Sequence, residues 1–494
     1  MATLKHKTIS GIKWTFAASI VQRIISFGTT VVLARILSPA DFGLFALAFV
    51  MIDGFGIFKS LGFDSALVRR KNSDIERACN TAFFLIPAMG MILFAILYFF
   101  APIGAKFLNN PQVTPLIRTL AIVFVISTFG KVPQTVLYRD MKFKYKSIAE
   151  VSSSIIYATT ALGLASAAFG VWSLVVGYIL KTLTLIAIEW YFSGWKPKFE
   201  FDKAIAWDMF HFGKYVLASS FLWFLYNNLD NIIIGKLLGV AMLGYYAISM
   251  NIAKFLSEYF LDKVGKVIYP TYSKVHEDAI ELERSVLKVL KYVSSISFPA
   301  SFYLFAFSKE ILLYIFGDKW VPASNILKIL AFVGLFRSLG TVIWPAYLAK
   351  GRSKVDFQIN IMQVIGFFIL LIPLTKKFAL NGVGLAILIT TLISFLIGLF
   401  RAKRFLLIEP LKILKVYLLP FVASFLTFVP GAYLRTTSQE NAFLSFLLIS
   451  GFSIVIYILI ITLFDHDFFK ELKKDFLNKG EYDATPTKST DSKR

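Results

Sequence analysis

Several ionisable side chains stand inside otherwise apolar stretches of this 494-residue sequence, and their chemistry is the first thing to explain. Arg23 lies near the middle of residues 12–36, flanked by Gln22 and Ser26. Asp53 lies in residues 41–63 beside Gly54 and Gly56, and Lys59 follows near the end of that stretch. Residues 211–238 hold Asn227, Asn228, Asp230 and Asn231. Residues 241–267 hold Asn251, Lys254, Glu258 and Asp262, whose spacing of three, four and four puts all of them on one helical face. A charge in the hydrocarbon core costs about 2.5–3.5 kcal/mol on insertion scales, so each needs a partner, a water-filled cavity or a ligand. Arg23, Lys59 and Lys254 suit an anionic ligand, the planar fork of Arg matching a phosphate. Asp53, Asp230 and Glu258 suit charge balance or the carriage of a coupling proton. Gln22, Asn227, Asn228, Asn231 and Asn251 suit the polar lining of the same cavity.

Each of these residues also has a plainer reading. Lys59 can snorkel to the interface. Lys254 and Glu258 can form an intrahelical i,i+4 ion pair, and Asp262 with Lys263 can already lie at the membrane surface. Arg23 and Asp53 are the hardest to explain in this way. Lys181, Glu189, Lys291, Lys328 and Arg337 are weaker candidates.

The elements that must position these residues follow from length and hydropathy. The chain is 57% apolar, too much for an ordinary soluble domain, yet its formal charge is +22. A helix needs about 20 mainly apolar residues to cross a bilayer, and about 14 stretches qualify. They run near 12–36, 41–63, 80–101, 113–137, 147–169, 171–192, 211–238, 241–267, 286–307, 326–349, 357–374, 381–400, 411–432 and 443–464. Runs such as Met91–Phe100 and Phe452–Leu463 do not alternate, which selects helices over a β-barrel. The first stretch follows Lys5 and Lys7 but is too long for a signal peptide and carries Arg23, so it reads as a retained helix. The expectation is an all-α, polytopic membrane protein. Residues 467–494 form a charged tail, predicted to be disordered beyond Asn478.

The positive charge falls on alternate connections. One set, including both termini, carries 34 Lys and Arg, and the other carries 8, among them Arg35, Lys106, Lys236 and Lys319. Such asymmetry orients the basic set, and with it both termini, toward the cytoplasm. Basic residues spread over eight segments form no stripe with interleaved aromatics, which argues against a nucleic-acid partner and for the lipid bilayer. Trp14, Trp195, Trp207 and Trp320 fall near predicted helix ends, where interfacial aromatic belts are expected.

Covalent chemistry has little support. The chain lacks GxxxxGK[ST], HExxH and GxSxG motifs, so no catalytic residue is assigned. Its single cysteine, Cys79, excludes a disulfide framework and a Cys-rich metal site. The four histidines, His6, His211, His276 and His466, lie in cytoplasmic segments or at helix ends, and no metal site is expected. The loops are too short for a catalytic domain. What remains is a secondary transporter, or an enzyme with its whole site inside the bilayer.

A shift of 201 residues lays Lys13–Leu47 on Lys214–Ile248 without a gap. Seven positions are identical, including Leu37/Leu238, Ala40/Ala241, Gly43/Gly244 and Ala46/Ala247, and Arg35/Lys236 is a conservative pair. Both segments cover the same helix–turn–helix boundary, which points to an internal duplication. Two six-helix lobes follow, residues 1–195 and 196–405, with two extra helices in 406–466.

The stretch Leu33-Ala34-Arg35-Ile36-Leu37-Ser38-Pro39-Ala40-Asp41-Phe42-Gly43-Leu44-Phe45-Ala46 resembles the first-hairpin signature of the polysaccharide and lipopolysaccharide flippases. Gly235-Lys236-Leu237-Leu238-Gly239, continuing to Leu243-Gly244-Tyr245-Tyr246, resembles the second-lobe hairpin of the same family. The chain looks most like the Wzx-type, colanic-acid-exporter-like members of the multidrug/oligosaccharidyl-lipid/polysaccharide superfamily. The resemblance implies a V-shaped pair of lobes, alternating access and a proton or sodium gradient in place of a cofactor. It implies an undecaprenyl-diphosphate-linked oligosaccharide as substrate, the bacterial cytoplasmic membrane as location and polysaccharide polymerase machinery as neighbour. A cation-coupled exporter of drugs or small molecules from the same superfamily is the competing expectation.

Overall fold

In a computed structural model of the chain, described over residues 2–59, 63, 67, 74–437 and 442–465, every regular element is helical. Some helical positions, 255–267 among them, are described by their backbone alone. The order is α1 (Ala2–Ile36), α2 (Pro39–Gly56), α3 (Ile75–Phe107), α4 (Val113–Phe129), α5 (Lys131–Arg139), α6 (Phe143–Ser166) and α7 (Val171–Ser193). There follow α8 (Lys203–Leu237), α9 (Val240–Val275), α10 (Ala279–Ala306), α11 (Ser324–Ala349), α12 (Ser353–Phe405), α13 (Pro410–Thr437) and α14 (Ala442–Phe464). Between α10 and α11 runs a broken segment: one turn at Ser308–Ile311, a π-helical turn at Leu312–Phe316 and a 3-10 turn at Asp318–Ala323.

Among the described residues nine helices are long and apolar enough to cross a membrane, or up to eleven if each of two bent pairs is one span. This falls short of the fourteen expected, for physical reasons. Helices α8 and α9 are not among the nine, and they are the ones whose Asn, Asp and Lys residues interrupt the apolar run. Helix α12 counts once, although Ala379 (φ 48°, ψ −131°) breaks it into two helical halves.

Two compact units share the chain. The first comprises Met1–Ile248, Leu312–Ala323 and Leu371–Val383; the second comprises Ser249–Ile311, Ser324–Leu370 and Gly384–Arg494. Lipid tails are as apolar as leucine, so within a bilayer helices associate by close packing and hydrogen bonds rather than by a hydrophobic drive. In the first unit Leu33, Leu37, Ala161, Ala165 and Leu174 pack α1 on α6 and α7. A second cluster, with Cys79, Ile86, Val132, Ile205 and Met209, packs α3 on α5 and α8. The connection from α7 to α8 is tied to α3 by two wholly buried polar side chains: Asn80 Oδ1 accepts from Lys198 N at 3.0 Å, and Thr81 Oγ1 accepts from Asp202 N at 3.1 Å. Glu189 of α7, 1% exposed, accepts from Gln134 Nε2 of α5 at 3.1 Å.

The second unit is laced in the same manner. Tyr347 donates to the Gly398 carbonyl at 2.5 Å, and Tyr457 donates to that of Ser295 at 2.8 Å. Lys291, a weaker site candidate, is paired with Asp465 at 2.7 Å. Phe298, Phe302, Phe421 and Phe425 form edge-on ring contacts between α10 and α13.

Candidate functional site

Two hairpin turns set the geometry of the first unit, and each turns by its own local chemistry. Between α1 and α2, Ser38 caps α2 in a capping box: its Oγ accepts from Asp41 N at 3.2 Å, and Asp41 Oδ2 accepts from Ser38 N at 2.9 Å. Pro39 stands at the first helical position, where its missing N–H costs nothing. Between α8 and α9 no such cap exists; Gly239 takes φ +87° instead, a conformation open to a residue without a Cβ.

The two hairpins meet at a crossing of their second helices. A Cβ on Gly43 of α2 would lie 1.7 Å from the Val240 carbonyl oxygen, and one on Gly244 of α9 would lie 1.9 Å from that of Pro39. The 201-residue shift carries Pro39 to Val240 and Gly43 to Gly244, so the contact is reciprocal under the repeat. Only glycine allows this approach.

Around the crossing the broken segment Leu312–Ala323 closes the same end. Trp320 is wholly buried and stands edge-on to Phe42 at 5.4 Å and to Tyr245 at 6.0 Å between ring centroids. Its Nε1 donates to the Ala34 carbonyl at 2.8 Å. Arg35 donates from Nε to the Ile315 carbonyl at 2.9 Å, and its Nη2 donates to that of Tyr314. Both acceptors belong to the π-helical turn Leu312–Phe316. Lys319 returns the contact, donating to the Arg35 carbonyl at 3.0 Å.

These residues correct two expectations. Trp320 is a buried pin holding two hairpins, not an interfacial anchor, whereas Trp14 and Trp207 are 42% and 66% exposed. Arg35 and Lys319 are more than loop charges, because both hold backbone carbonyls. Sequence reasoning missed them as site residues, although one signal was present. A helix-interior glycine costs about 1 kcal/mol relative to alanine, and Gly43 and Gly244 occupy equivalent positions in both repeats.

Farther along α2, Asp53 is exposed and accepts from Asn228 Nδ2 of α8 at 3.2 Å. The same amide donates to the Phe224 carbonyl at 3.3 Å, and the Phe224 ring lies against Gly54. Asp53 and Asn228 are thus brought together. Asp230 is turned away into protein: it is 7% exposed, Asn231 N donates to it at 2.8 Å, and the Tyr246 hydroxyl of α9 donates to its other oxygen. Arg23 and Gln22 are half-buried on α1, and Lys59 is half-buried in a 3-10 turn after α2. Asn227 and Asn231 are half-buried on α8. In the second unit Asn251 is exposed and Lys254 half-buried on α9. The Glu258 and Asp262 side chains lie outside the described residues. Among the described residues no group of His, Cys, Asp and Glu could hold a metal ion.

This chain has the transporter fold of Lipid II flippase MurJ, whose inward closed conformation matches 93% of this chain and 100% of its own at a TM-score of 0.73 and 17% identity. The chain belongs to the polysaccharide biosynthesis protein family, whose model matches residues 32–325. It is 26% identical to the lipopolysaccharide biosynthesis protein WzxC of Escherichia coli K12 over 405 residues, 81% of each chain. It is 27% identical to the teichuronic acid biosynthesis protein TuaB of Bacillus subtilis 168, covering 81% of this chain and 83% of TuaB. It is 25% identical to the succinoglycan biosynthesis transport protein ExoT of Rhizobium meliloti 1021, covering 74% of each.

Proposed function

We propose that this chain is a flippase. It moves an undecaprenyl-diphosphate-linked oligosaccharide repeat unit across the bacterial cytoplasmic membrane for lipopolysaccharide, capsule or exopolysaccharide biosynthesis. The observation that carries the reading is membership of a polysaccharide biosynthesis family by a chain built almost wholly of helices, in the fold of a protein known as a lipid flippase. Translocating a lipid-linked intermediate is biosynthetic work that requires no catalytic domain, and the chain acts as a secondary transporter, not as an enzyme.

Arg23, Lys59 and Lys254 meet the diphosphate. Asp53, steadied by Asn228, together with Asp230 and Glu258, balances that charge or carries the coupling ion, a proton or sodium. Both termini face the cytoplasm, which places the hairpin turns at Ser38 and Gly239 on the outer side. The crossing at Gly43 and Gly244, pinned by Trp320 and clamped by Arg35, is then the outer gate, and alternating access consists of opening it while the inner side closes. Polysaccharide polymerase machinery receives the unit outside.

The test is deletion of the chain in its host. The lipid-linked unit should accumulate on the inner leaflet and surface polysaccharide should fall. Normal polysaccharide without accumulation rejects the reading. Normal polysaccharide together with new sensitivity to cationic drugs selects the multidrug exporter instead.

A further inference from the structure

Away from the hairpins, the first unit carries a groove of about 570 Å³ lined by α3, α4 and α7. Phe94, Tyr98, Ile122 and Ile179 make its apolar wall, Thr119 adds a hydroxyl, and Arg118 is its charged residue. Arg118 stands five residues into α4, about 7 Å along the helix from Val113 at the rise of an α-helix. With α5, α4 is long and apolar enough to form a bent membrane span. With the bilayer surface taken at the start of α4, that rise sets the arginine where lipid headgroups give way to acyl chains.

Its orientation is fixed from one side. Nε donates to the Tyr98 carbonyl at 3.0 Å, and the guanidinium carbon lies 4.9 Å from the centroid of the Tyr98 ring. Both contacts hold the guanidinium plane against α3. Among the described residues, nothing accepts from its two terminal nitrogens and no carboxylate pairs with it. A cation in an apolar groove at this depth calls for an anion, and the terminal edge of arginine is the edge that grips a phosphate with two parallel bonds.

We propose that the groove binds an anionic bilayer phospholipid. Its phosphate lies on the terminal nitrogens of Arg118, and one acyl chain follows Phe94, Tyr98, Ile122 and Ile179. The site belongs to the first unit and is independent of what the protein transports.

Native mass spectrometry of the full chain in detergent tests the assignment. The titrants are phosphatidylglycerol, diacylglycerol without a phosphate, and inorganic phosphate without a chain. Wild type should retain phosphatidylglycerol and neither of the others. Arg118→Ala should weaken retention roughly tenfold, the loss of a charge-assisted pair, while Arg118→Lys keeps part of it. Ile122→Trp, which fills the groove and leaves the charge, should lose the lipid as well, and it decides the matter if Arg118→Ala does not fold. Equal retention of phosphatidylglycerol by wild type and Ile122→Trp, or of diacylglycerol and phosphatidylglycerol by wild type, overturns the proposal. Binding of inorganic phosphate alone does so too.

Discussion

Gly43 and Gly244 each pack on the carbonyl one helical turn before the other: Gly43 on Val240 and Gly244 on Pro39. Two helices approach here backbone to backbone, and the space for a methyl group is absent on both sides.

The first prediction follows from that space. Gly43→Ala and Gly244→Ala each force the helices apart, at the cost of overpacking, about 1–3 kcal/mol. Thermal unfolding of the detergent-purified protein should shift down by several degrees for either variant. Gly28→Ala serves as the control: nothing lies within 4 Å of its Cβ position, so with the helix-propensity cost of an interior glycine removed it should raise the midpoint slightly. Equal midpoints for Gly43→Ala and the control would show that the crossing yields without cost.

Arg35 supplies a second. Its guanidinium is exposed, so the clamp on Tyr314 and Ile315 is worth no more than about 1 kcal/mol after solvent screening. Its removal should therefore loosen the closed end without unfolding the protein. A cysteine placed at Leu37, 3% exposed, in a Cys79→Ala background should react faster with an impermeant maleimide when Arg35→Ala is added. An unchanged labelling rate would mean that this end is held shut elsewhere.

A third concerns the buried pair across α8 and α9. Asp230→Ala removes the carboxylate that the Tyr246 hydroxyl donates to, at about 1–3 kcal/mol for a broken buried hydrogen bond to a charged group. Tyr246→Phe removes the donor and leaves the carboxylate. The double variant should cost less than the sum of the singles by more than about 0.5 kcal/mol, the signature of direct coupling. Strict additivity in thermal unfolding would place the two residues in separate interactions.

The residues proposed to line the transport path give a fourth. Asp53→Asn keeps an acceptor for Asn228 and removes the charge, so it should preserve the thermal midpoint and abolish surface polysaccharide in a complementation assay. Arg23→Ala should reduce export, and Arg23→Lys should restore part of it. Full export by Arg23→Ala would take that residue out of the substrate path.

Much of the architecture was legible because a bilayer allows few solutions. Long apolar runs such as Phe452–Leu463 must be helices, and α14 (Ala442–Phe464) covers that run. The break between the halves of α12 was legible from Asn381-Gly382 and falls two residues before Asn381, at Ala379. The contact of Asp53 with Asn228 was not legible, since hydropathy places residues along a helix without saying which helix faces which. Trp320 was misread for a related reason. A tryptophan near a helix end has the same local sequence whether it faces headgroups or fills a gap between hairpins, and only the Ala34 carbonyl distinguishes the two. Asp230 was legible as an intramembrane charge, while its donor Tyr246 lies 16 residues along, in the next helix, outside any i,i+4 pattern.

A contact made of main-chain atoms cannot be tuned by substitution. Every L-residue other than glycine at positions 43 and 244 breaks it, so sequence drift has no intermediate setting to explore there. If this end is the gate proposed above, differences in how readily it parts would fall to the side chains that surround the crossing: Arg35, Lys319 and the ring of Trp320. A comparison of opening rates across the family should track those three positions and be blind to the glycines.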